Sequence, residues 1–325
     1  MAEQFGIIGL GKMGGGLALH AMEKGHKVIG FDPQPSAALK QAGVRFANGL
    51  EDFVRSLSRP RRIFLWIPAG AMVDKTADAL SQLLEPGDII IDGGNSYWGD
   101  SLRRAEKYRA MQLHFLDLGT SGGIEGARNA PCFMIGGPDE AVAMVEPLLR
   151  DLATEGGYVH AGGSGTGHYV KLVHNGIEFG MLQAIGEGME LMTRFPMKLK
   201  IGETLECWRH GSVIRSWLID LMTRAYKADP AFKNPSGYIE DTGEVNWLVS
   251  DALAMDVPIP VIAQSVMALL RSREEGRIAD KSIIAMRHEF GGHPFGPEPH
   301  IRAERETGRV GPLYRPDGNG DGASV

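Results

Sequence analysis

The sequence has few cysteines and no long apolar run. Its 325 residues include only two cysteines, Cys132 and Cys207, too few for a disulfide framework, so a reducing compartment is expected. No apolar run approaches the roughly 20 residues of a transmembrane helix. The N-terminus carries an acidic residue and glycines where a signal peptide would have a basic start. We therefore expect a cytoplasmic protein with no membrane partner.

Positive charge is also not in excess. Lysine and arginine total 34 against 40 aspartates and glutamates, a net charge of −6. This balance argues against a protein that binds nucleic acid without regard to sequence, because such binding needs a basic surface. A local basic pocket for a small anion remains compatible with it. At roughly 150 residues per domain, the length predicts about two domains.

Short apolar runs alternate with helical patterns in the first half of the chain, which is typical of parallel βαβ units. We predict an N-terminal Rossmann-type doubly wound sheet of class α/β over residues 1–162. A smaller all-helical domain for substrate binding and dimerisation follows over residues 163–293, and residues 294–325 form a tail that is poorly ordered alone. The predicted strands are Phe5–Gly9, Lys27–Phe31, Ile63–Ile67, Ile89–Asp92, Leu113–Leu118 and Cys132–Ile135.

A G-x-G-x-x-G motif lies between the first strand and a predicted helix, the context in which it binds a dinucleotide pyrophosphate. Its residues are Gly9, Leu10, Gly11, Lys12, Met13 and Gly14. Asp32 ends the next strand, where a carboxylate would accept from the ribose hydroxyls and repel a 2′-phosphate. The motif therefore predicts NAD rather than NADP as cofactor. The alternative is a glycine-rich turn that binds no ligand.

One face of the long helix predicted from residue 167 to 194 carries four polar side chains. Lys171, His174, Asn175 and Glu178 follow the i, i+3, i+4, i+7 spacing of a single helix face. Lys171 and Glu178 lie about 10 Å apart along the axis at 1.5 Å per residue. A small polyhydroxy acid fits between such a base and acid. A solvated polar face with a lysine–glutamate pair is the plainer alternative.

Three further stretches carry candidate binding residues. Asn95 follows a strand end, where open α/β sheets bind ligands. The run Ser121-Gly122-Gly123 places backbone N–H groups beside a hydroxyl, a plausible seat for a carboxylate. Arg287 and His293 could hold an anionic group, although plain surface is the commoner explanation for such a pair.

Together these stretches resemble the 6-phosphogluconate dehydrogenase (decarboxylating) family, in its short bacterial NAD-preferring form. The resemblance rests on GLGKMG at 9–14, IDGGNS at 91–96, SGGIEGAR at 121–128, GHYVKLVHNGIE at 167–178 and RHEFGGH at 287–293. It implies oxidation of 6-phosphogluconate at C3, loss of CO2 and formation of ribulose 5-phosphate, as in the pentose phosphate pathway and gluconate utilization. Lys171 would be the general base and Glu178 the general acid.

The resemblance also implies the remaining contacts. Arg287 and His293 would reach the substrate phosphate from a partner subunit, so a homo-oligomer, dimer or tetramer, with a shared active site is implied. Substrate would be held by Asn95, Ser121, Gly122, Gly123, His174 and Asn175, and the nicotinamide side would be lined by Ile67, Pro68, Ala69 and Asn95.

Departures from the family pattern affect the recognition of phosphate. Phe179 stands where the family usually has a tyrosine, Asn246 where it has a basic residue, and Leu269 where an arginine falls by approximate alignment. Two alternatives therefore stay open: a β-hydroxyacid dehydrogenase for an aldonate with another terminal anion, such as a sulfonate, and a non-catalytic dinucleotide-binding sensor. No metal is expected, because the histidines lack ligand spacing and the DGNGDG run at 317–322 stops before an EF-hand loop is complete.

Overall fold

An eight-stranded sheet forms the first part of the chain in the computed structural model, which describes residues 2–274, 276–291 and 294–297. The strand order is β3-β2-β1-β4-β5-β6-β7-β8, and only the β6–β7 pair is antiparallel. The strands are β1 (Gln4–Ile8), β2 (Lys27–Phe31), β3 (Arg45–Phe46), β4 (Arg62–Leu65), β5 (Ile89–Asp92), β6 (His114–Ser121), β7 (Cys132–Gly136) and β8 (Tyr158–Gly162). The first six positions reproduce the doubly wound dinucleotide-binding order, so the predicted fold class is confirmed.

Eight helices connect these strands. They are α1 (Lys12–Glu23), α2 (Ala37–Gln41), α3 (Leu50–Arg55), α4 (Ala71–Ser81), α5 (Trp98–Arg109), α6 (Gly123–Asn129), α7 (Asp139–Ala143) and α8 (Glu146–Leu152). Strands β2 and β5 match the predicted bounds residue for residue. Strands β3 and β8 were not predicted, because β3 has two residues and β8 lacks a buried apolar run.

Both faces of the sheet are buried, which explains the unbroken apolar runs in its central strands. Ile7 packs into one core cluster and its neighbour Ile8 into the other. In β5, Ile89 and Ile91 face one cluster and Ile90 the other, and all three are fully buried. Strands covered on both faces need apolar residues at every position, whereas a half-exposed strand would alternate.

The later part of the chain is helical. Its helices are α9 (Thr166–Arg194), α10 (Ile201–Gly211), α11 (Trp217–Ala228), α12 (Glu244–Ala254), α13 (Pro260–Arg271) and α14 (Ile278–Gly291). Among the residues that the structure describes, no helix combines the length and apolar character needed to cross a bilayer.

The chain folds as two compact units. The first contains residues 1–176 and 243–257, and the second contains residues 177–242 and the described residues from 258 onward. Helix α12 joins the first unit because the Trp98 indole donates to Asp251 (Nε1–Oδ2 2.7 Å), while the rings of Tyr97 and Trp247 meet edge to face. The division at 162 stays a prediction about the sequence, and most of the predicted tail lies outside the described residues.

A buried arginine ties α4 and α5 to the sheet. Arg104 is fully buried, and it donates to Asp74 (Nε–Oδ1 2.9 Å), to the carbonyl of Gly70 (3.0 Å) and to Asp92 at the end of β5 (3.4 Å). Burial alone would raise the pKa of Asp74, but hydrogen bonds from Arg104 and Arg103 outweigh it and lower that pKa to about 2. The ionised carboxylate therefore stabilises the folded state.

This ion pair predicts a pH-dependent contribution to stability. A carboxyl whose pKa is lowered on folding contributes stability above its unfolded pKa, about 3.9, and loses it as pH falls toward the folded value. We expect Asp74→Asn to cost about 1 kcal/mol of unfolding free energy at pH 7, with the difference shrinking progressively below pH 4. Urea unfolding of both proteins between pH 7 and pH 3 measures it. A difference that stayed constant across this range would contradict the assignment.

Candidate active site

The glycine-rich loop between β1 and α1 has a different physical constraint at each glycine. Gly9 has φ +87°, and a Cβ there would overlap the carbonyl oxygen of Trp66, so a side chain is excluded on both grounds. A Cβ at Gly14 would overlap the carbonyl oxygen of Gly9. At Gly11, by contrast, no atom lies within 4 Å of the Cβ position. The loop therefore leaves open space in front of the first turn of α1, as close approach of a pyrophosphate requires.

Asp32 closes this loop at the end of β2. Its carboxylate accepts the backbone N–H of Leu10 (2.7 Å) within the glycine motif and that of Gln34 (2.8 Å). A cavity of about 430 Å³ opens beside it, and this cavity suits the adenosine end of a dinucleotide. It is lined by Phe31, Asp32, Pro33, Pro35, Lys40, Phe46, Ala47 and Asn48. The residues present thus fit a dinucleotide, and Lys40 adds a cation that the sequence motif did not indicate.

The loop after β5 is shaped by Asp92, which the sequence analysis did not single out. The fully buried Asp92 accepts from the Ser96 hydroxyl (2.7 Å), so the chain turns back and Asn95 stays exposed. The Asn95 amide donates to Glu244 at the start of α12 (Nδ2–Oε1 3.0 Å). This bond leaves the Asn95 carbonyl oxygen oriented as an acceptor for a ligand hydroxyl or amide.

The segment after β4 runs beside this loop. Ile67 is half-buried, while Pro68 and Ala69 are exposed. A Cβ at Gly94 would lie 3.0 Å from the Ile67 carbonyl oxygen, and one at Gly93 would press against the Trp66 ring at 2.9 Å. The segment predicted to line the nicotinamide is therefore adjacent to the loop that carries Asn95.

Four of the predicted catalytic and substrate-binding side chains form a hydrogen-bonded cluster between β6 and α9. The Ser121 hydroxyl lies 2.9 Å from His174 Nε2, and Lys171 Nζ lies 3.3 Å from His174 Nδ1. His174 Nδ1 also lies 3.2 Å from Asn175 Oδ1. A lysine ammonium must donate to an unprotonated Nδ1, whereas a neutral amine also permits Nδ1–H to donate to Asn175. The tautomer of His174 thus depends on the protonation state of Lys171.

Lys171 is nearly buried, with 9% of its surface exposed. Cys132 lies close to it and pairs with Ser121 across the β6–β7 ladder. Burial raises the pKa of the Cys132 thiol, and the Lys171 cation only partly opposes that shift. The thiol is therefore neutral near pH 7, as expected of a packing residue rather than a nucleophile.

The other predicted site residues are distributed over both units. Gly122 (φ +113°) and Gly123 (φ +58°) adopt left-handed conformations directly after Ser121. Glu178 lies two turns beyond Lys171 on the same helix, in the part of α9 that belongs to the second unit. Arg287 is exposed on α14, and His293 lies outside the described residues.

Leu269 and the two arginines that follow it show whether a cation is available where the family pattern has an arginine. Leu269 is a core side chain with 7% of its surface exposed. Of the arginines near it in sequence, Arg271 pairs with Asp280 at 3.7 Å. Arg273 donates to the Ile239 carbonyl and to Asp241. Both guanidinium groups are therefore already engaged within the second unit.

The fold and the glycine loop define a nicotinamide-dinucleotide oxidoreductase with a Rossmann domain followed by a helical domain. Two sequence profiles match: "NAD binding domain of 6-phosphogluconate dehydrogenase" over residues 4–163, and "6-phosphogluconate dehydrogenase, C-terminal domain" over residues 167–292. The chain belongs to the decarboxylating 6-phosphogluconate dehydrogenase family, as the sequence motifs predicted.

Relatives of two lengths support this assignment. The Bacillus subtilis protein YqeC, which is provisionally named a 6-phosphogluconate dehydrogenase, is 42% identical to this chain. The match covers 89% of this chain and 98% of YqeC. The "6-phosphogluconate dehydrogenase, NAD(+)-dependent, decarboxylating" of Haloferax volcanii is 38% identical over 89% of this chain and 97% of its own. The Synechococcus elongatus enzyme is 36% identical over 87% of this chain, which spans 64% of that longer protein.

A solved structure agrees with the fold. The Plasmodium falciparum 6-phosphogluconate dehydrogenase, described in complex with its cofactor NADP+ and its substrate 6-phosphogluconate, matches with TM-score 0.76 and 28% identity. The match covers 91% of this chain and 66% of that one. The Mycobacterium tuberculosis 3-hydroxyisobutyrate dehydrogenase, at 20% identity over 82% of this chain and 91% of its own, shares the fold with TM-score 0.64.

The open space at Gly11 yields a binding prediction. We expect Gly11→Ala to weaken dinucleotide binding at least about tenfold, because its methyl group would occupy the space that the pyrophosphate needs. The folded state should be unaffected, since nothing lies within 4 Å of that methyl group. Titration calorimetry with NAD gives the dissociation constant, and differential scanning calorimetry gives the melting temperature.

The matched control is Gly49→Ala. Gly49 also precedes a helix, α3, and also has open space around its Cβ position. It should change neither NAD affinity nor melting temperature. Equal NAD affinity in Gly11→Ala and the wild type would mean that the dinucleotide binds elsewhere.

Proposed function

We propose that this chain catalyses the oxidative decarboxylation of 6-phosphogluconate to ribulose 5-phosphate and CO2, with NAD as the hydride acceptor. The observation that carries the proposal is the Ser121–His174–Lys171 cluster, which holds a nearly buried amine at the carboxyl end of β6. Ligands of open α/β sheets bind at this end of the strands. The family membership supports the reaction type independently.

In this mechanism, Lys171 acts first as the general base. Its neutral amine takes the proton of the C3 hydroxyl while the hydride leaves C3; a bound nicotinamide would supply the acceptor for that hydride. The resulting 3-keto acid loses its C1 carboxylate as CO2, and the electrons of the broken bond form an enediol. The lysine ammonium donates its proton to the C3 oxygen as that bond breaks.

Glu178 completes the reaction as the general acid. It donates a proton to the carbon that has lost CO2, which becomes C1 of the product, while the neutral amine of Lys171 takes back the enediol hydroxyl proton so that the ketone forms. A separation of two turns along the helix would let base and acid act at different carbons of one substrate. Asn95, Ser121, Gly122, Gly123, His174 and Asn175 would hold the sugar acid through its carboxylate and hydroxyl groups.

Recognition of the distal phosphate is proposed to involve a second subunit. Arg287 is exposed on α14 and, with His293, would reach the phosphate bound by a partner copy in a homodimer or homotetramer. An arginine gives a bidentate contact to such an anion.

A second candidate substrate is an aldonate with a different terminal anion, such as a sulfonate. Two observations favour it: Leu269 is a core residue, and Arg273 is already bound to Asp241. Phe179 and Asn246 likewise offer no cation at positions where the family contacts phosphate.

A substrate panel separates these candidates and a dinucleotide sensor. We expect 6-phosphogluconate to exceed gluconate and a 6-sulfonated analogue in kcat/KM, with one CO2 released per NADH formed. A sulfonate that turned over faster would favour the second candidate. If no acid is turned over although NAD binds tightly, the remaining candidate is a non-catalytic dinucleotide-binding sensor.

Catalytic variants test the two roles. Lys171→Ala and Glu178→Gln should each lower kcat by about 10²- to 10⁴-fold, the range of general acid–base contributions. Lys198→Ala, on an exposed lysine in the segment after α9, is the control and should retain activity. Wild-type kcat in Lys171→Ala would exclude the proposed base.

Cofactor preference depends on Asp32 and its surroundings. Asp32→Ala combined with Pro33→Arg should shift preference toward NADP, because it removes a repelling carboxylate and adds a phosphate ligand. Lys40→Met should reduce kcat/KM for NADP while leaving that for NAD unchanged, since Lys40 lines the same cavity. The ratio of kcat/KM for the two cofactors measures both effects, and an unchanged ratio in the double variant would refute the role of Asp32.

A further inference from the structure

Strand β6 and helix α9 touch through alternate residues of the strand. Asp117, Gly119 and Ser121 are two residues apart, so they point to the same face of the sheet. The Ser121 hydroxyl lies 2.9 Å from Nε2 of His174, which is three residues beyond Lys171 on the helix. Asp117 and Gly119 meet the beginning of the same helix, and neither has a role in the proposed chemistry.

Asp117 binds the N-terminus of α9. Its side chain is almost fully buried, with 1% exposure, and it accepts the backbone N–H of Gly165 (Oδ1, 2.7 Å) and of His168 (Oδ2, 2.9 Å). The first N–H groups of a helix have no partner within the helix. A carboxylate satisfies them and interacts favourably with the positive end of the helix dipole.

Three glycines allow the backbones to approach closely at this point. A Cβ at Gly119 would lie 2.5 Å from Lys171 Cβ and 2.7 Å from the Gly167 carbonyl oxygen. A Cβ at Gly136 would lie 2.6 Å from the Gly167 nitrogen, and one at Gly167 would overlap the Asp117 carbonyl oxygen. None of these neighbours is the far end of a flexible side chain, so any added methyl group must displace the helix or the strand.

We propose that Asp117 and Gly119 are positioning residues that fix Lys171 relative to Ser121, and we call these two residues together with Gly136 and Gly167 the β6–α9 clasp. Asp117 sets where the helix begins, and Gly119 sets how near the Lys171 Cβ lies to the strand. Ser121 belongs to the same strand, so the strand serves as a common frame for the base and the hydroxyl. The effect expected on kcat rests on the proposed function, whereas the placement of Lys171 relative to Ser121 does not.

The test compares two clasp variants, Gly119→Ala and Asp117→Asn. Gly119→Ala inserts a methyl group against Lys171, and Asp117→Asn presents an amide N–H where an acceptor is required. The first readout needs no substrate: acetylation of each protein with an N-hydroxysuccinimide ester, followed by peptide mass spectrometry. The Lys171 rate is divided by the rate of the exposed Lys198 in the same chain. We expect this ratio to rise at least about fivefold as the nearly buried amine is displaced.

Two control variants match the chemical changes elsewhere in the first unit. Asp88, just before β5, is a fully buried carboxylate that accepts the backbone N–H of Arg61 (2.7 Å) and Glu85 (2.9 Å). Asp88→Asn therefore repeats the loss of a buried acceptor for two backbone N–H groups, and it also removes an ion pair with the Arg61 guanidinium (2.7 Å). A Cβ at Gly157 would lie 2.5 Å from Thr154 Cγ2, so Gly157→Ala repeats the overlap. Both controls should lower the melting temperature and leave the Lys171 acetylation ratio unchanged.

The second readout is steady-state kinetics with 6-phosphogluconate. We expect the clasp variants to lower kcat at least about tenfold with KM changed less than threefold, because the base moves while the substrate contacts persist. The controls should keep wild-type kcat per folded molecule.

Each outcome has a distinct meaning. An unchanged Lys171 ratio in folded clasp variants overturns the proposal, and so does an equal rise in the controls. Clasp variants that fail to fold while both controls fold also overturn it, since the contacts would then serve stability alone. Inactive wild-type enzyme refutes the proposed function, yet the acetylation contrast still decides the placement of Lys171.

Discussion

The close contact between β6 and the first turns of α9 is the constraint on which the site depends. A buried carboxylate and backbone packed against backbone hold the helix at one register along the strand. Everything that the helix carries is thereby placed relative to the sheet, including the amine of Lys171 and the ring of His174. The same sheet presents the loop with Asn95 and the glycine motif that faces the dinucleotide.

This arrangement explains why the polar cluster tolerates partial burial. Lys171 is nearly buried, but its amine lies within hydrogen-bond range of His174, whose ring in turn contacts Ser121 and Asn175. A polar group removed from water is costly unless such partners are available. Because the imidazole can either donate to or accept from the amine, the cluster is compatible with both protonation states of Lys171.

Local patterns in the sequence predicted most of the sheet and much of the site. Buried runs such as Ile89–Asp92 identify parallel strands, and the spacing of the polar residues on α9 identifies one helix face. What escaped prediction depends on contacts distant in sequence. The partnership of Asp117 with His168 spans 51 residues and that of Asn95 with Glu244 spans 149, so neither leaves a periodic signal. The grouping of α12 with the first unit arises from Trp98 and Asp251 in the same way.

In the proposed function, the reaction and the recognition of the distal end of the substrate depend on residues in different parts of the fold. A side chain added at Gly119 would overlap the Gly167 carbonyl oxygen and the stem of Lys171, so the change cannot be absorbed locally. Phe179 is half-buried on α9 and Asn246 is exposed on α12. A substitution at an exposed position usually alters stability by less than about 0.5 kcal/mol when no special contact is lost. Such residues can therefore vary while Lys171 keeps its position. Of the three departures from the family pattern, Phe179 and Asn246 therefore fall on helical positions that are not fully buried, whereas Leu269 is a core residue.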